Sequence, residues 1–415
     1  MNVKRAIFGD STKANAFRLI ILFGIVSLLG DVIYEGARSI NGQYLQTLGA
    51  SATIIGLVAG VGEFLGYGPR LLSGYFSDKT KAYWFFTMLG YGLLASVPLL
   101  ALAGVWQIAA LFIITERIGK AIRNPARDTL MSHAAKTVGT GWGFAVHEFL
   151  DQIGALLGPL LFALLFFSLG TGPKGIVEYQ YGYSMLWIPF LFLIIALFIT
   201  YFIFRYSQKP ETIGKEKDKG RLSTTFWYYM CFTFLTTLGF INFVILGYHF
   251  KVISILSDAQ IPLFYAVAMI VDGLLALMIG RLYDVLKTKR KNEEAGLLLL
   301  IIIPLLTLTI PIFIFLPSIY LIFAGVILWG AVMGTHETIM RAAIADITPT
   351  SKRGTGYGIF TATYGFAALF GGITAGTLYD YALSLLVAFI VITQVCAISL
   401  FFFMKRQAEK EFISA

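Results

Sequence analysis

Residues 114 to 133 read ITERIGKAIRNPARDTLMSH, directly after the apolar run GVWQIAALFI. The stretch places Glu116, Arg117, Lys120, Arg123, Arg127 and Asp128 within four helical turns. Three other oily stretches carry ionisable groups in the same way: LLGDVIYEGARS with Asp31 and Glu35, HEFLD with His147, Glu148 and Asp151, and GTHETIMR with His336, Glu337 and Arg341. Glu63 and Asp272 stand alone in apolar surroundings. Side chains of these types exchange protons, pair with one another or hold charged solutes. Asp31 and Glu35 are four apart and share a helix face. Like charges so placed disfavour simultaneous ionisation, which suits reversible proton loading. HEFLD lacks the second histidine of the zinc pattern H-E-x-x-H, and no third ligand is indicated. His147, Glu148, His336 and Glu337 together are a chemically conceivable metal set, but the expected reading is no metal and no cofactor. His147 and Asp151 fit either a proton relay or an inter-helix salt bridge with the cations of residues 116 to 128.

The solvent around these groups is set by composition. The chain has 415 residues, of which 57% are hydrophobic and 13% charged, and its mean hydropathy is +0.77. A water-soluble chain carries about 25% charged residues. Apolar runs of membrane-spanning length recur throughout. About twelve are read from the sequence: 17–38, 44–77, 82–104, 105–132, 141–168, 183–205, 223–250, 258–286, 295–316, 317–346, 354–378 and 382–405. They are continuous rather than alternating, which excludes a barrel. The predicted class is an all-α polytopic membrane protein.

Basic residues collect on one side of these spans, including Lys4, Arg5, Lys79, Lys81, Lys217, Lys287, Lys352 and Lys405. The positive-inside rule then places both termini in the cytoplasm. The same bias explains the net charge of +9 without a nucleic-acid partner, while basic segments favour anionic lipid heads. The first apolar segment lacks a small-residue cleavage site and is read as a retained helix. Cys231 and Cys396 lie inside apolar spans and suggest no disulfide framework.

The polar connector RYSQKPETIGKEKDKGRLS divides the spans six and six. The domains read from it are 1–205 and 223–415, joined by a cytoplasmic linker at 206–222. GYFSDK after the second span holds Gly74, Asp78 and Lys79, and GRLYD after the eighth holds Gly280 and Asp284. GTGWG and GTGYG each open the fifth helix of their half. Two matches in register argue for duplication. Glu63 and Asp272 fall at near-equivalent depths of the two halves.

With these motifs the sequence resembles the major facilitator superfamily, whose loop pattern G-x-x-x-D-[RK]-x-G-[RK]-[RK] is matched at Gly74, Asp78 and Lys79, with Lys81 and Ala82 departing from it. The second copy keeps Gly280 and Asp284 and delays its basic cluster. LLGDVIYEGARS, RIGKAIRNPARDTLMS and GFAVHEFLDQIGALLGPLL further resemble a group of bacterial permeases and efflux proteins within the superfamily. The resemblance implies two pseudo-symmetric six-helix bundles and alternating access by rocking. It makes Arg117 the coupling cation acting on Asp31 or Glu35. Gly154, Gly158 and Pro159 resemble part of the helix-five pattern of antiporters, with close helix packing as the alternative.

At about 1.5 Å per residue Arg117 lies roughly 18 Å and Lys120 roughly 22 Å from the start of the fourth span, inside a layer of about 30 Å. Such groups need partners or water. Arg123 and Arg127, nearer the boundary, are expected to snorkel and pair between helices. Tyr34, Tyr67 and Tyr364 are candidates to line a cavity. The sequence therefore points to a monomeric transporter of a small molecule in a prokaryotic cytoplasmic membrane, with protons coupled through Asp31, Glu35, Glu63, Asp151 and Asp272. Arg117, Lys120, His147, Glu148, His336 and Glu337 are its candidate substrate contacts. Export of a drug-like compound or metabolite is preferred, with import or facilitated passage of an organic anion or a metal species as the alternative. No nucleophile or complete metal constellation indicates an enzyme, and no filter sequence indicates a channel.

Overall fold

The computed structural model describes residues 11–170, 172–205, 222–290, 293–349 and 352–414. The linker expected at 206–222 lies outside the described residues except for its last position. Every regular element described is helical, as hydrocarbon surroundings demand of a segment that must satisfy its own backbone. In chain order the helices are α1 (Ser11–Thr47), α2 (Ala52–Tyr67), α3 (Arg70–Thr80), α4 (Tyr83–Gly92, prolonged by short turns to Leu102), α5 (Trp106–Val138) and α6 (Thr140–Ser168). They continue with α7 (Ile176–Met185), α8 (Trp187–Phe204), α9 (Thr224–Leu238), α10 (Phe243–Ile253) and α11 (Gln260–Arg290). A 3-10 segment, Glu293–Ile301, leads into α12 (Ile302–Ile314), followed by α13 (Ile319–Ile347), α14 (Arg353–Tyr381) and α15 (Leu383–Ser414).

Among the described residues, 11 helical segments are long and apolar enough to cross a membrane. The charged α5, 33 residues long, completes the twelve-span fold. Three spans are composite. Pro69, which has no N–H to donate, separates α2 from α3. α7 passes into α8 at Leu186. The third interruption, residues 239–242 between α9 and α10, falls inside a stretch expected to be one continuous helix.

The first span also differs from expectation. α1 runs on to Thr47, and the second span starts at Ala52 instead of residue 44. The polar residues of this extension are buried: Ser39 is 1%, Asn41 6% and Gln43 0% exposed. Their polarity marks a protein-covered segment of helix, whereas a linear reading takes it for a loop.

The chain divides into two compact units. The first takes the described residues of Met1–Arg38, Pro69–Gly170 and Lys174–Ile213. The second takes those of Ser39–Gly68, Thr171–Pro173 and Gly214–Ala415. In the first, Gly154 and Gly158 seat α6 on α1, where a Cβ would overlap the carbonyl oxygens of Leu28 and Val32 respectively. In the second, α2 lies along α14 so closely that a Cβ at Gly56 would overlap the carbonyl oxygen of Gly372, and one at Gly376 that of Ala52. Asp380 at the end of α14 accepts the N–H groups of Ala52 (3.1 Å) and Thr53 (2.8 Å) and the Thr53 hydroxyl (2.7 Å). It thereby satisfies donors at the start of α2 that have no partner within that helix.

Candidate functional site

Tyr34 is the hub of the first unit. Its hydroxyl accepts from Arg38 Nη1 (3.0 Å) and from Arg117 Nη1. Arg117 Cζ lies 4.6 Å and Lys120 Nζ 3.9 Å from its ring centroid, within the range of a cation–π attraction. Each guanidinium also has a carboxylate beside it: Arg38 Nη1 is 3.8 Å from Glu35 Oε1, and Arg117 Nε is 3.4 Å from Glu116 Oε2. All four of these charged side chains are buried, whereas Lys120 and Asp31 keep partial exposure.

A second group adjoins through α1 and α6. Asp31 lies in the field of Asp151, Lys120, Glu35 and Arg123. Asp151 in turn feels Arg127, Lys120 and Asp128 and is hydrogen-bonded to Ser27. Ser27 Oγ accepts from Arg127 Nη1 at 3.0 Å, and Asp128 Oδ1 accepts from Arg127 Nε (3.0 Å) and Nη2 (2.9 Å). His147 is buried, with Nδ1 3.7 Å from Asp151 Oδ2. Lys120 is thus the cation common to Asp31 and Asp151. Arg117, the coupling cation that the resemblance implies, meets Tyr34 and Glu116. Glu148, next to His147, is exposed, because consecutive helical residues point about 100° apart.

Arg123 corrects a sequence expectation. It does not snorkel: it is 3% exposed, with its guanidinium carbon 4.9 Å from the Tyr91 ring centroid. The cause is glycine. A Cβ at Gly90 would stand 2.6 Å from the Gly119 carbonyl oxygen, so α4 and α5 approach closely enough to cover the arginine. Gly154 and Gly158 act locally in the same manner, holding α6, which also contains Pro159, against the segment of α1 that bears Asp31 and Tyr34.

The second unit contains Glu63 on α2, Asp272 on α11, and His336 and Glu337 on α13. Glu63, Asp272 and His336 are 8%, 4% and 3% exposed. Asp272 lies where α11 meets α13, since a Cβ at Gly334 would overlap its carbonyl oxygen. His336 faces rings: Phe240 at 5.2 Å and Tyr364 at 6.2 Å between centroids. Phe240 also stacks on Trp329, 5.5 Å away at 19°. Tyr67 and Tyr364, named as cavity candidates, touch each other at 4.9 Å. Among the described residues, no three His, Cys, Asp or Glu side chains form a group able to hold a metal ion.

Phe240 and Trp329 escaped the sequence reading, as did the joint they flank. Trp329 Nε1 donates to the Ile241 carbonyl (2.8 Å), and Asn242 Oδ1 accepts from the Val244 N–H (3.0 Å), restarting the helix as α10. The signal was present in Gly239 followed by Asn242, a C-terminal and an N-terminal helix residue in succession. Of the loop-pattern residues, Asp78 accepts from the Tyr83 hydroxyl (3.0 Å) and Lys79 Nζ lies 5.8 Å from the Tyr75 ring centroid. Gly74 lies on α3, and a Cβ there would meet Pro125 Cβ at 3.5 Å, an ordinary contact. Gly280 lies against Thr338, and Asp284 is exposed. Asp346 on α13 accepts from Lys287 Nζ (2.8 Å) and the Tyr283 hydroxyl (2.7 Å) of α11.

Among the described residues, eleven apolar spans and the charged α5, with buried ionisable side chains in each unit, define an integral membrane protein. The sequence profile of the Major Facilitator Superfamily matches residues 23–302 and 295–415, and the chain belongs to that superfamily. An uncharacterised protein of Mycobacterium tuberculosis is 37% identical over 395 residues, 94% of this chain and 93% of its own. An uncharacterised transporter of the same superfamily from Methanocaldococcus jannaschii is 27% identical over 381 residues, 87% and 88% of the two chains. Among solved structures, a POT family transporter in complex with 5-aminolevulinic acid aligns with a TM-score of 0.72 at 12% identity over 95% and 96% of the chains. A bacterial homologue of the human lysosomal transporter Spinster, inward-facing and unoccupied, aligns at 0.70 and 13% over 97% and 98%. At those identities the structural likeness concerns the fold.

Proposed function

We propose that this protein is a proton-coupled secondary transporter that exports a small drug-like compound or metabolite in exchange for protons. It acts as a monomer in a prokaryotic cytoplasmic membrane, with both termini in the cytoplasm. The observation that carries the reading is the cluster in which Asp31, on α1, and Asp151, on α6, lie in each other's field and in that of Lys120 while Asp31 keeps partial exposure. Protonating either carboxylate removes a buried charge and releases Lys120 and Arg127 to other partners. Such a change alters which arrangement of helices is stable without any covalent step. Rocking of the sequence halves 1–205 and 223–415 supplies alternating access, and Glu63 and Asp272 are secondary proton sites. The antiporter-like Gly154, Gly158 and Pro159 favour the export direction.

A thermal-stability screen of the purified protein against drugs and metabolites identifies the compound, because a ligand bound only by the native form stabilises it. In everted vesicles, Asp31→Asn then reduces pH-gradient-driven uptake of that compound to the level of vesicles lacking the protein. Uptake that keeps its full gradient dependence in both Asp31→Asn and Asp151→Asn overturns the reading.

One observation favours a second reading, import or facilitated passage of an organic anion. Lys120 and Arg117 meet on one tyrosine ring, and the partly exposed ammonium is placed to receive a carboxylate. Lys120→Gln that weakens anion uptake while leaving its pH dependence unchanged would select it.

A further inference from the structure

We propose that the joint between α9 and α10 frames a seat for a neutral, planar heteroaromatic ring, entered by displacing the Phe240 side chain, walled by Trp329 and Tyr364 and hydrogen-bonded by His336. The proposal rests on the transporter reading and adds the chemical class of the substrate. Neither ring nitrogen of His336 has a hydrogen-bond partner, although the side chain is 3% exposed. A neutral imidazole carries one donor and one acceptor, and leaving both unmet in an apolar interior is destabilising. Buried polar atoms of this kind call for a functional explanation.

The surroundings indicate which partner fits. Phe240 lies 5.2 Å from the imidazole and Tyr364 6.2 Å away at 77°, so the walls of the seat are aromatic faces and edges. The indole N–H of Trp329 is already taken by the Ile241 carbonyl, which concentrates the polar recognition on His336. Phe240 itself lies in the interruption at 239–242, where its N–H bonds the Thr237 carbonyl (3.2 Å) in a tight turn and its side chain is partly exposed. Rotation of this one residue uncovers the imidazole, and a flat ring with an N–H or C=O on its edge replaces the phenyl group. Its face stacks where Phe240 stacked, and its heteroatom meets a nitrogen that lacked a partner. On α13, Trp329, His336 and Met340 recur at spacings of seven and four residues and so occupy one face. Rotation of Phe240 thus leaves the remaining walls in position.

The full-length purified chain provides the test, with three matched probes: quinolin-2-one, its octahydro analogue that keeps the lactam without the aromatic ring, and naphthalene. Quinolin-2-one is expected to raise the melting temperature saturably and to quench fluorescence in a manner lost in Trp329→Phe. The other two probes bind at least about tenfold more weakly, as expected for loss of one good hydrogen bond or of stacking. His336→Leu keeps or raises the melting temperature of the ligand-free protein and weakens quinolin-2-one by about tenfold or more; a merely structural histidine would leave probe binding unchanged. Should His336→Leu fail to fold, His336→Phe, which keeps a ring and removes both nitrogens, is judged by the same criterion. Equal response to the octahydro analogue, unchanged affinity in His336→Leu, preferential binding of tetramethylammonium, or no saturable response to quinolin-2-one at millimolar concentration overturns the seat. Asp31→Asn separates this inference from the transport reading, since it is expected to lose gradient-driven transport while binding quinolin-2-one normally.

Discussion

In the first unit a group of buried cations and carboxylates gathers about one tyrosine, and in the second a buried histidine faces aromatic rings. Arg38, Arg117 and Lys120 converge on Tyr34 with Glu35 and Glu116 beside them. His336, by contrast, lies among Phe240 and Tyr364 with both nitrogens unmet. A charge in a low-dielectric interior is tolerated when its partner lies close, and removing that partner exposes the full desolvation cost. A neutral polar ring among aromatics carries a smaller cost and can be replaced by an apolar side chain at little loss. The two centres should therefore respond to substitution in opposite ways.

The largest expected effect is in the charged centre. Glu116→Leu leaves the Arg117 guanidinium buried beside an apolar side chain and is expected to cost about 3–5 kcal/mol, read as a fall in the unfolding midpoint of the purified protein. A loss below that of His336→Leu in the second unit would break the contrast. Next comes a purely steric test. Gly372→Val forces side-chain atoms onto the Gly56 carbonyl and should cost about 3 kcal/mol by overpacking. Gly74→Ala, by contrast, should be neutral or stabilise α3 by up to about 1 kcal/mol.

Tyr34→Phe keeps the ring for Lys120 and Arg117 but deletes the hydroxyl that accepts from two guanidinium groups. An expected loss of about 2 kcal/mol, in line with hydrogen bonds to charged groups, should shrink when Arg38 is also replaced by Met, as a double-mutant cycle would report. The smallest expected loss of stability concerns the second unit's helix cap. Asp380→Ala removes three acceptor contacts at the start of α2 and should cost about 1 kcal/mol, measurable as a modest drop in melting temperature with the fold retained.

Much of the scaffold was legible in the linear chain. The spans around α5, α6, α13 and α14 end within a few residues of the expected positions, because their apolar length and flanking charges are local properties. The joint at 239–242 was not, since LGFINFVIL stays apolar throughout and averaging along a window conceals a single Gly and Asn. Arg123 was misjudged for a related reason. Its distance along the helix allowed snorkelling, but the Gly90–Gly119 approach that covers it depends on two segments far apart in sequence. Asp346 likewise has no motif around it; it accepts from Lys287 and Tyr283 only once α11 lies against α13. Asp31, Arg117, Lys120 and His336 were recognisable as candidates from their chemistry, whereas the cation that Asp31 and Asp151 share was not.

The sequence by itself determined that this chain is helical, crosses a membrane about twelve times and carries ionisable groups deep in its spans. Hydrocarbon requires each segment to satisfy its own backbone, and composition alone reveals where that requirement applies. Tertiary structure alone decided which of those groups meet: three cations with Tyr34, Arg127 with Ser27 and Asp128, and His336 with rings and no hydrogen-bond partner. Such pairings depend on side-chain direction and on the close helix approaches that glycines at 90, 119, 154 and 158 permit, neither of which is a local property of the chain.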